Sequence, residues 1–95
     1  MLFAAFCTDK NDHLSVRMEN RPAHLDFLGT KGDAIKYAGP TLADDGETPN
    51  GSLIIFEDDT LDAARNWIAG DPYAKAGLFA DVVIRPWKKA LGAGL

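Results

Sequence analysis

Four short apolar runs, separated by two stretches of helical periodicity, constrain what this chain can fold into more than any other feature. Leu2 to Thr8 is apolar and ends in Asp9, Lys10, Asn11 and Asp12, which predicts a buried strand followed by a polar loop. Leu14 to Thr30 carries Leu14, Met18, Leu25 and Leu28 at helical spacing, expected on the core side, with Gly32 as a stop. Pro22 falls inside this stretch, and one helix bent there is expected rather than two short ones. Ala34 to Leu42 contains Ile35, Tyr37 and Gly39-Pro40, a strand whose proline suits a sheet edge or a terminating bend. Residues 44–51 are turn chemistry throughout and predict a hairpin with a long mobile loop. Ser52 to Glu57 is apolar enough for a central strand. Thr60, with Asp58, Asp59 and Asp62 around it, reads as the N-cap of a second helix reaching Ala69, with Leu61, Ala64, Trp67 and Ile68 inward. Leu78 to Trp87 is the last strand.

This order, strand-helix-strand-strand-helix-strand, is the ferredoxin-like split βαβ, an α+β fold with a four-stranded antiparallel sheet and two helices on one face. Ninety-five residues support one such domain. Its expected extent is residues 1–90, with the Gly-rich 91–95 as a disordered tail. In the last strand Ala80, Val82 and Ile84 are expected to face the helices, leaving Phe79, Asp81, Val83, Arg85 and Trp87 on the other side. An open sheet face bearing Phe79, Val83 and Trp87 needs a cover, and the natural one is the same sheet of a second copy.

Composition excludes several classes. With 25% charged residues and a net charge of −4, the chain has no footprint for nucleic acid or an anionic membrane. No apolar run approaches the roughly 20 residues that span a bilayer, and Met1 to Cys7 lacks the basic start and cleavage pattern of a signal peptide. The single cysteine, Cys7, cannot form an internal disulfide, which fits a reducing cytoplasm; in an apolar strand it reads as buried and inert rather than nucleophilic. No CxxC, HExxH, GxSxG, P-loop or dinucleotide glycine motif occurs, and His13 with His24 lacks metal-ligand spacing, so no cofactor or metal is expected.

Two features carry chemistry. Arg17, Arg21, His24 and Leu28 are spaced four, three and four apart and so share one helical stripe. They form either an anion pocket with a titratable imidazole or a solvated basic edge with Arg21 paired to Glu19 or Asp26. The second feature is Gly70-Asp71-Pro72-Tyr73, where a glycine C-cap and a proline hold Asp71 from both sides. Asp71 is either a turn residue accepting a nearby backbone N–H or a carboxylate that orients His24.

The segments Arg21-Pro22-Ala23-His24-Leu25, Ala38-Gly39-Pro40, Gly51-Ser52-Leu53, Asp71 to Phe79 and Ile84-Arg85-Pro86-Trp87 follow one another in an order and spacing that resemble the YciI-like (YCII-related) family across almost the whole chain. The resemblance implies a dimeric α+β barrel arrangement with sheets facing each other. It also implies a pocket in which His24 and Asp71 are a catalytic pair, bordered by Gly39, Pro40 and Tyr73. Looser kinship to the muconolactone isomerase and dehydrochlorinase type implies proton transfer or HCl elimination on small ring compounds, without selecting a substrate. The expectation is therefore a dimeric, cofactor-free enzyme, an acid/base lyase or isomerase. In it His24 serves as general base or acid, Asp71 fixes its tautomer, and Arg21 with Arg17 binds an anionic substrate. The alternative is a non-catalytic small-ligand binding or interaction protein using the same pocket.

Overall fold

A computed structural model describes residues 1–94. Its elements are β1 (Leu2–Asp9), α1 (Leu14–Gly29), β2 (Ile35–Leu42), β3 (Pro49–Glu57), α2 (Leu61–Ala69), α3 (Pro72–Lys75) and β4 (Phe79–Trp87), with a short 3-10 turn at Gly32–Ala34. The strands form one antiparallel sheet in the order β2-β3-β1-β4, so the predicted ferredoxin-like α+β fold is the observed one. A third helix, a single turn, is added at Asp71. The edge strands β2 and β4 each carry a proline, Pro40 and Pro86, whose missing N–H blunts an edge against further pairing. Among the described residues no helix is long and apolar enough to cross a membrane.

Register decides which residues meet the helices. Phe3, Ala5 and Cys7 of β1 lie opposite Phe56, Ile54 and Ser52 of β3, and all six are buried on the helix side. α2 covers this surface as expected, burying Ala64 and Ile68 and laying Trp67 against Phe56 at 4.7 Å between centroids. Thr60 caps it, its hydroxyl accepting from the Ala63 N–H at 3.0 Å.

α1 is a single helix through Pro22, but its buried face differs from the expected one. Leu14, Met18 and Leu25 are 44%, 54% and 46% exposed, while Arg17 and His24 are the buried residues and Leu28 packs at the core margin. The apolar spacing lost to a stronger constraint. Arg17 and His24 each have a buried carboxylate partner on another element, and satisfying those charges rotates their stripe inward.

β4 brings a second correction. Ala5 opposite Ile84 and Cys7 opposite Val82 keep those valine and isoleucine side chains on the helix side. Between Thr8 and Asp9 the register shifts, Thr8 pairing with Asp81 and Asp9 with Phe79, so Ala80 is an extra residue. This bulge turns Phe79 to the helix side, against the Tyr73 ring edge at 6.1 Å. The open face instead presents Leu2, Phe6, Leu53, Ile55, Tyr37, Val83 and Trp87, with Phe6 49% exposed in place of Phe79.

The β2–β3 connection is shorter and more ordered than predicted. Asp45 accepts from the Glu47 and Thr48 N–H groups and from the Thr48 hydroxyl, at 2.6 to 2.9 Å. These bonds hold its carboxyl down at about 2. Of the tail, residues 88–94 form no helix or strand, and the expectation of disorder over 91–95 falls partly on residue 95, which lies outside the described residues.

Candidate active site

Where α2 ends, the chain begins a new helix at once. Gly70 is the C-cap of α2 as expected but in right-handed geometry (φ −84°), not the left-handed one common for a glycine cap; a Cβ there would lie 3.3 Å from the Trp67 carbonyl oxygen and 3.5 Å from the Phe27 ring. The position is tight for a side chain, and the dihedral freedom of glycine is not used there. Asp71 is the N-cap of α3, accepting the Tyr73 N–H at 2.9 Å, with Pro72 in the opening position, and Gly77 (φ +73°) supplies the left-handed exit. Asp71 is completely buried, and both its carboxylate oxygens lie 2.9 Å from His24 Nδ1. The capping contact and the histidine contact coexist on one carboxylate.

An ionised carboxylate can only accept, so Nδ1 carries the hydrogen of the neutral ring. His24 Nε2 has no hydrogen-bond partner among the described residues and is not a buried unsatisfied atom, so its lone pair keeps access to the cleft that His24 lines. The imidazole stacks on the Tyr73 ring, centroids 3.9 Å apart and planes 13° off parallel. Arg17, two turns back on α1, places its guanidinium 4.6 Å from the same ring. Seven residues of helix rise about 10.5 Å, so Tyr73 is inserted between the two side chains.

Arg17 itself is held by Asp9 through Nε (2.7 Å) and Nη2 (3.1 Å), while Nη2 also donates to the Gly51 carbonyl and the Ser52 hydroxyl at 2.8 Å each. A buried guanidinium is tolerable only with such partners. Gly51 has room for no side chain, since a Cβ would collide with the Cys7 carbonyl. Cys7 lies behind this cluster. Burial, with the nearby charges of Asp71 and Asp9 adding to it and Arg17 opposing, pushes its thiol up to about 12, so it is not a nucleophile near neutral pH. Burial likewise raises the Tyr73 phenol above its ordinary range, against the pull of Arg17 and Arg21.

Arg17, His24, Ser52 and Tyr73 line a cleft of about 320 Å³ between α1 and the β2–β3 hairpin. It brings together Arg17, Arg21, His24, Gly39, Pro40 and Tyr73, while Asp71 lies behind His24, out of the cleft. Arg21 is exposed and makes no ion pair among the described residues, neither with Glu19 nor with Asp26. Met18, Leu25, Leu42 and Pro49 give apolar walls, and Glu47 joins from the hairpin connection. Sequence reasoning missed Asp9 and Ser52 as partners of Arg17. Asp9 ends β1 eight residues earlier, and only the sheet register brings Ser52 under α1. A larger hollow of about 580 Å³ between α2 and β4 is lined by Ile68, Phe79, Val82 and Ile84, with Arg65 its one charged lining residue. Chemistry, not volume, selects the smaller cleft. Among the described residues no group of three or more His, Cys, Asp and Glu side chains is placed to hold a metal ion.

Fold and cleft together define a ferredoxin-like α+β domain with a buried carboxylate–imidazole pair opening onto a small basic cleft. The chain belongs to the YCII-related domain family, which it matches over residues 1–88. It is 38% identical to the protein YciI of Escherichia coli O6:H1 over 96 aligned positions, covering 94% of this chain and 98% of that one. An uncharacterised protein of Haemophilus influenzae is 36% identical over the same shares. Among solved structures it resembles the 5-chloro-2-hydroxyhydroquinone dehydrochlorinase TftG of Burkholderia phenoliruptrix, in complex with 2,5-dihydroxybenzoquinone: TM-score 0.87, 35% identity, 95% of this chain and 96% of that one covered. A protein of Agrobacterium tumefaciens at 15% identity and TM-score 0.56, covering 95% and 94%, shares the fold.

Proposed function

We propose that this protein is a small-molecule enzyme that moves protons on an anionic ring compound, with His24 as the base and Asp71 as its orienting carboxylate. One observation carries the reading: Asp71 holds Nδ1 with both oxygens while Nε2 is left unpartnered in the cleft. A base needs its lone pair aimed at the substrate and a partner for the imidazolium that forms, and this pair offers both. Arg21, without an ion pair among the described residues, and Arg17 through Nη1, its one guanidinium nitrogen without a partner among them, supply positive charge for the substrate, and Gly39 and Pro40 form the opposite wall. Similarity to a dehydrochlorinase supports elimination within this class. In such a step, on the diketo tautomer of a chlorinated hydroquinone, His24 Nε2 takes a proton from the saturated carbon between a carbonyl and the C–Cl carbon, that C–H electron pair forms the new ring double bond, and chloride departs with the C–Cl pair to leave a quinone. In an isomerisation the same proton returns to another carbon.

The site works in a homodimer whose copies cover each other's open sheet faces, since Phe6, Tyr37 and Trp87 stand 40 to 49% exposed there. Sedimentation at micromolar concentration should give a dimer; a monomer would remove this part of the reading.

Chloride release from 5-chloro-2-hydroxyhydroquinone is the first assay. His24→Gln should lower kcat by about 10²- to 10⁴-fold while ligand affinity and unfolding midpoint stay close to wild type. If the wild type binds ring anions but turns none over, the protein is a ligand-binding module.

A further inference from the structure

Tyr73 is 1% exposed, and its ring is used on every side: His24 stacks on it, the Arg17 guanidinium lies against it, and Phe79 meets it edge-on. All three contacts involve the ring, and phenylalanine would make them equally well. The hydroxyl is the unexplained part. It makes no hydrogen bond with any described residue, yet it is not a buried unsatisfied atom, and Tyr73 is one of the residues lining the cleft. The little surface the residue keeps is therefore at its oxygen, and that oxygen opens to the cleft.

We infer that the Tyr73 hydroxyl is a hydrogen-bond donor aimed into the cleft, positioned for an oxygen anion on a planar ring whose reacting carbon lies at His24 Nε2. A phenol whose oxygen opens only to the cleft has to find its hydrogen-bond partner there, in water or in a bound oxygen, and a ligand that displaced the water without replacing that bond would lose affinity. Its protonation suits the role, because burial holds the phenol in its neutral, donating form at neutral pH. The ligand's charge follows from the neighbours. Arg17 and Arg21 are cations near the phenol, and Arg21 makes no ion pair among the described residues. The occupant's shape follows from the walls, because Met18, Leu25, Leu42 and Pro49 offer apolar surface to a ring. This deepens the proposed function and rests on it only for the placement of the reacting carbon.

The test uses the full-length wild type and Tyr73→Phe, with 2,5-dihydroxybenzoquinone as the anionic probe and 2,5-dimethoxybenzoquinone as its uncharged counterpart, both titrated by calorimetry. Losing one hydrogen bond to a charged oxygen should weaken the dihydroxy probe by about tenfold or more, leaving the dimethoxy compound unaffected. In wild type labelled at tyrosine Cζ, the Tyr73 carbon resonance should shift on saturation with the dihydroxy probe. Equal binding by wild type and Tyr73→Phe would overturn the inference, as would a parallel loss of both compounds, which is a packing effect. Failure of the wild type to bind the dihydroxy probe overturns it too. The outcome is separable from that of the catalytic reading: a His24→Gln enzyme without turnover and a Tyr73→Phe enzyme with normal binding would sink this inference alone.

Discussion

The two halves of the chain repeat one plan, strand-helix-strand, and solve it by opposite means. In the β3-α2-β4 half the helix is capped by Thr60 and buries Ala64 and Ile68 against the sheet. In the β1-α1-β2 half the helix has no side-chain cap, leaves Leu14, Met18 and Leu25 exposed, and buries Arg17 and His24. Apolar contact closes one helix onto the sheet. The other is tied to β1, β3 and the start of α3 by ion pairs and hydrogen bonds, and the cleft lies between α1 and the β2–β3 hairpin. A polar anchor fixes position at points rather than by sealing a surface. That is how one helix of a small domain can be both firmly placed and incompletely packed.

The contrast can be broken most directly at Asp9. Asp9→Ala leaves the Arg17 guanidinium buried without its carboxylate and should cost about 3–5 kcal/mol in denaturant unfolding. Adding Arg17→Met should recover most of that loss, because an apolar replacement of a buried pair is close to neutral, while ring-anion binding stays impaired. A cost for Asp9→Ala no larger than a surface change would mean that α1 is not held by this network. Next in size, Ile68→Ala in α2 should cost about 2–5 kcal/mol, whereas Leu25→Ala in α1 should stay within about 0.5 kcal/mol. Similar penalties would erase the difference between the two helices. At the helix starts, Thr60→Ala should lose about 1 kcal/mol and His13→Ala nearly nothing, since His13 makes no capping bond to α1.

The smallest effect belongs to the hairpin that forms the cleft's far wall. Asp45 titrates at about 2 in the folded protein, below its ordinary 3.8. A depressed carboxyl contributes stability above the unfolded value, and that contribution is lost as pH falls from about 3.8 through 2. Carboxyl NMR should show this titration, and Thr48→Ala should move it upward. An unchanged Asp45 in that variant would show that the loop is not held as described.

Much of this was legible in the sequence because periodicity and turn chemistry act locally. Helix α2 is legible at its N-cap, Thr60, and in its inner residues, since apolar spacing and burial agree there. The α1 faces differ from expectation for a physical reason: Leu14, Met18 and Leu25 mark a stripe by spacing, but Asp9 on β1 and Asp71, 47 residues beyond His24, decide which stripe goes inward. Phe79 went wrong through the bulge at Thr8–Asp9, which no local pattern marks. Helical spacing puts Arg21 with His24 on one face and the motif resemblance puts Gly39, Pro40 and Tyr73 beside them, and all five line the one cleft. The anchoring of Arg17 by Ser52 is not legible in this way, because it depends on strand register.

Asp71 receives the Tyr73 amide on the same carboxylate that holds His24. Imidazole orientation and the first turn of α3 are therefore two readings of one local equilibrium. Whatever changes the ring's hold on the carboxylate, such as a ligand in the cleft, also changes how tightly that amide is held. Solvent exchange of a single backbone hydrogen, at Tyr73, then reports the state of the site without any substrate being known.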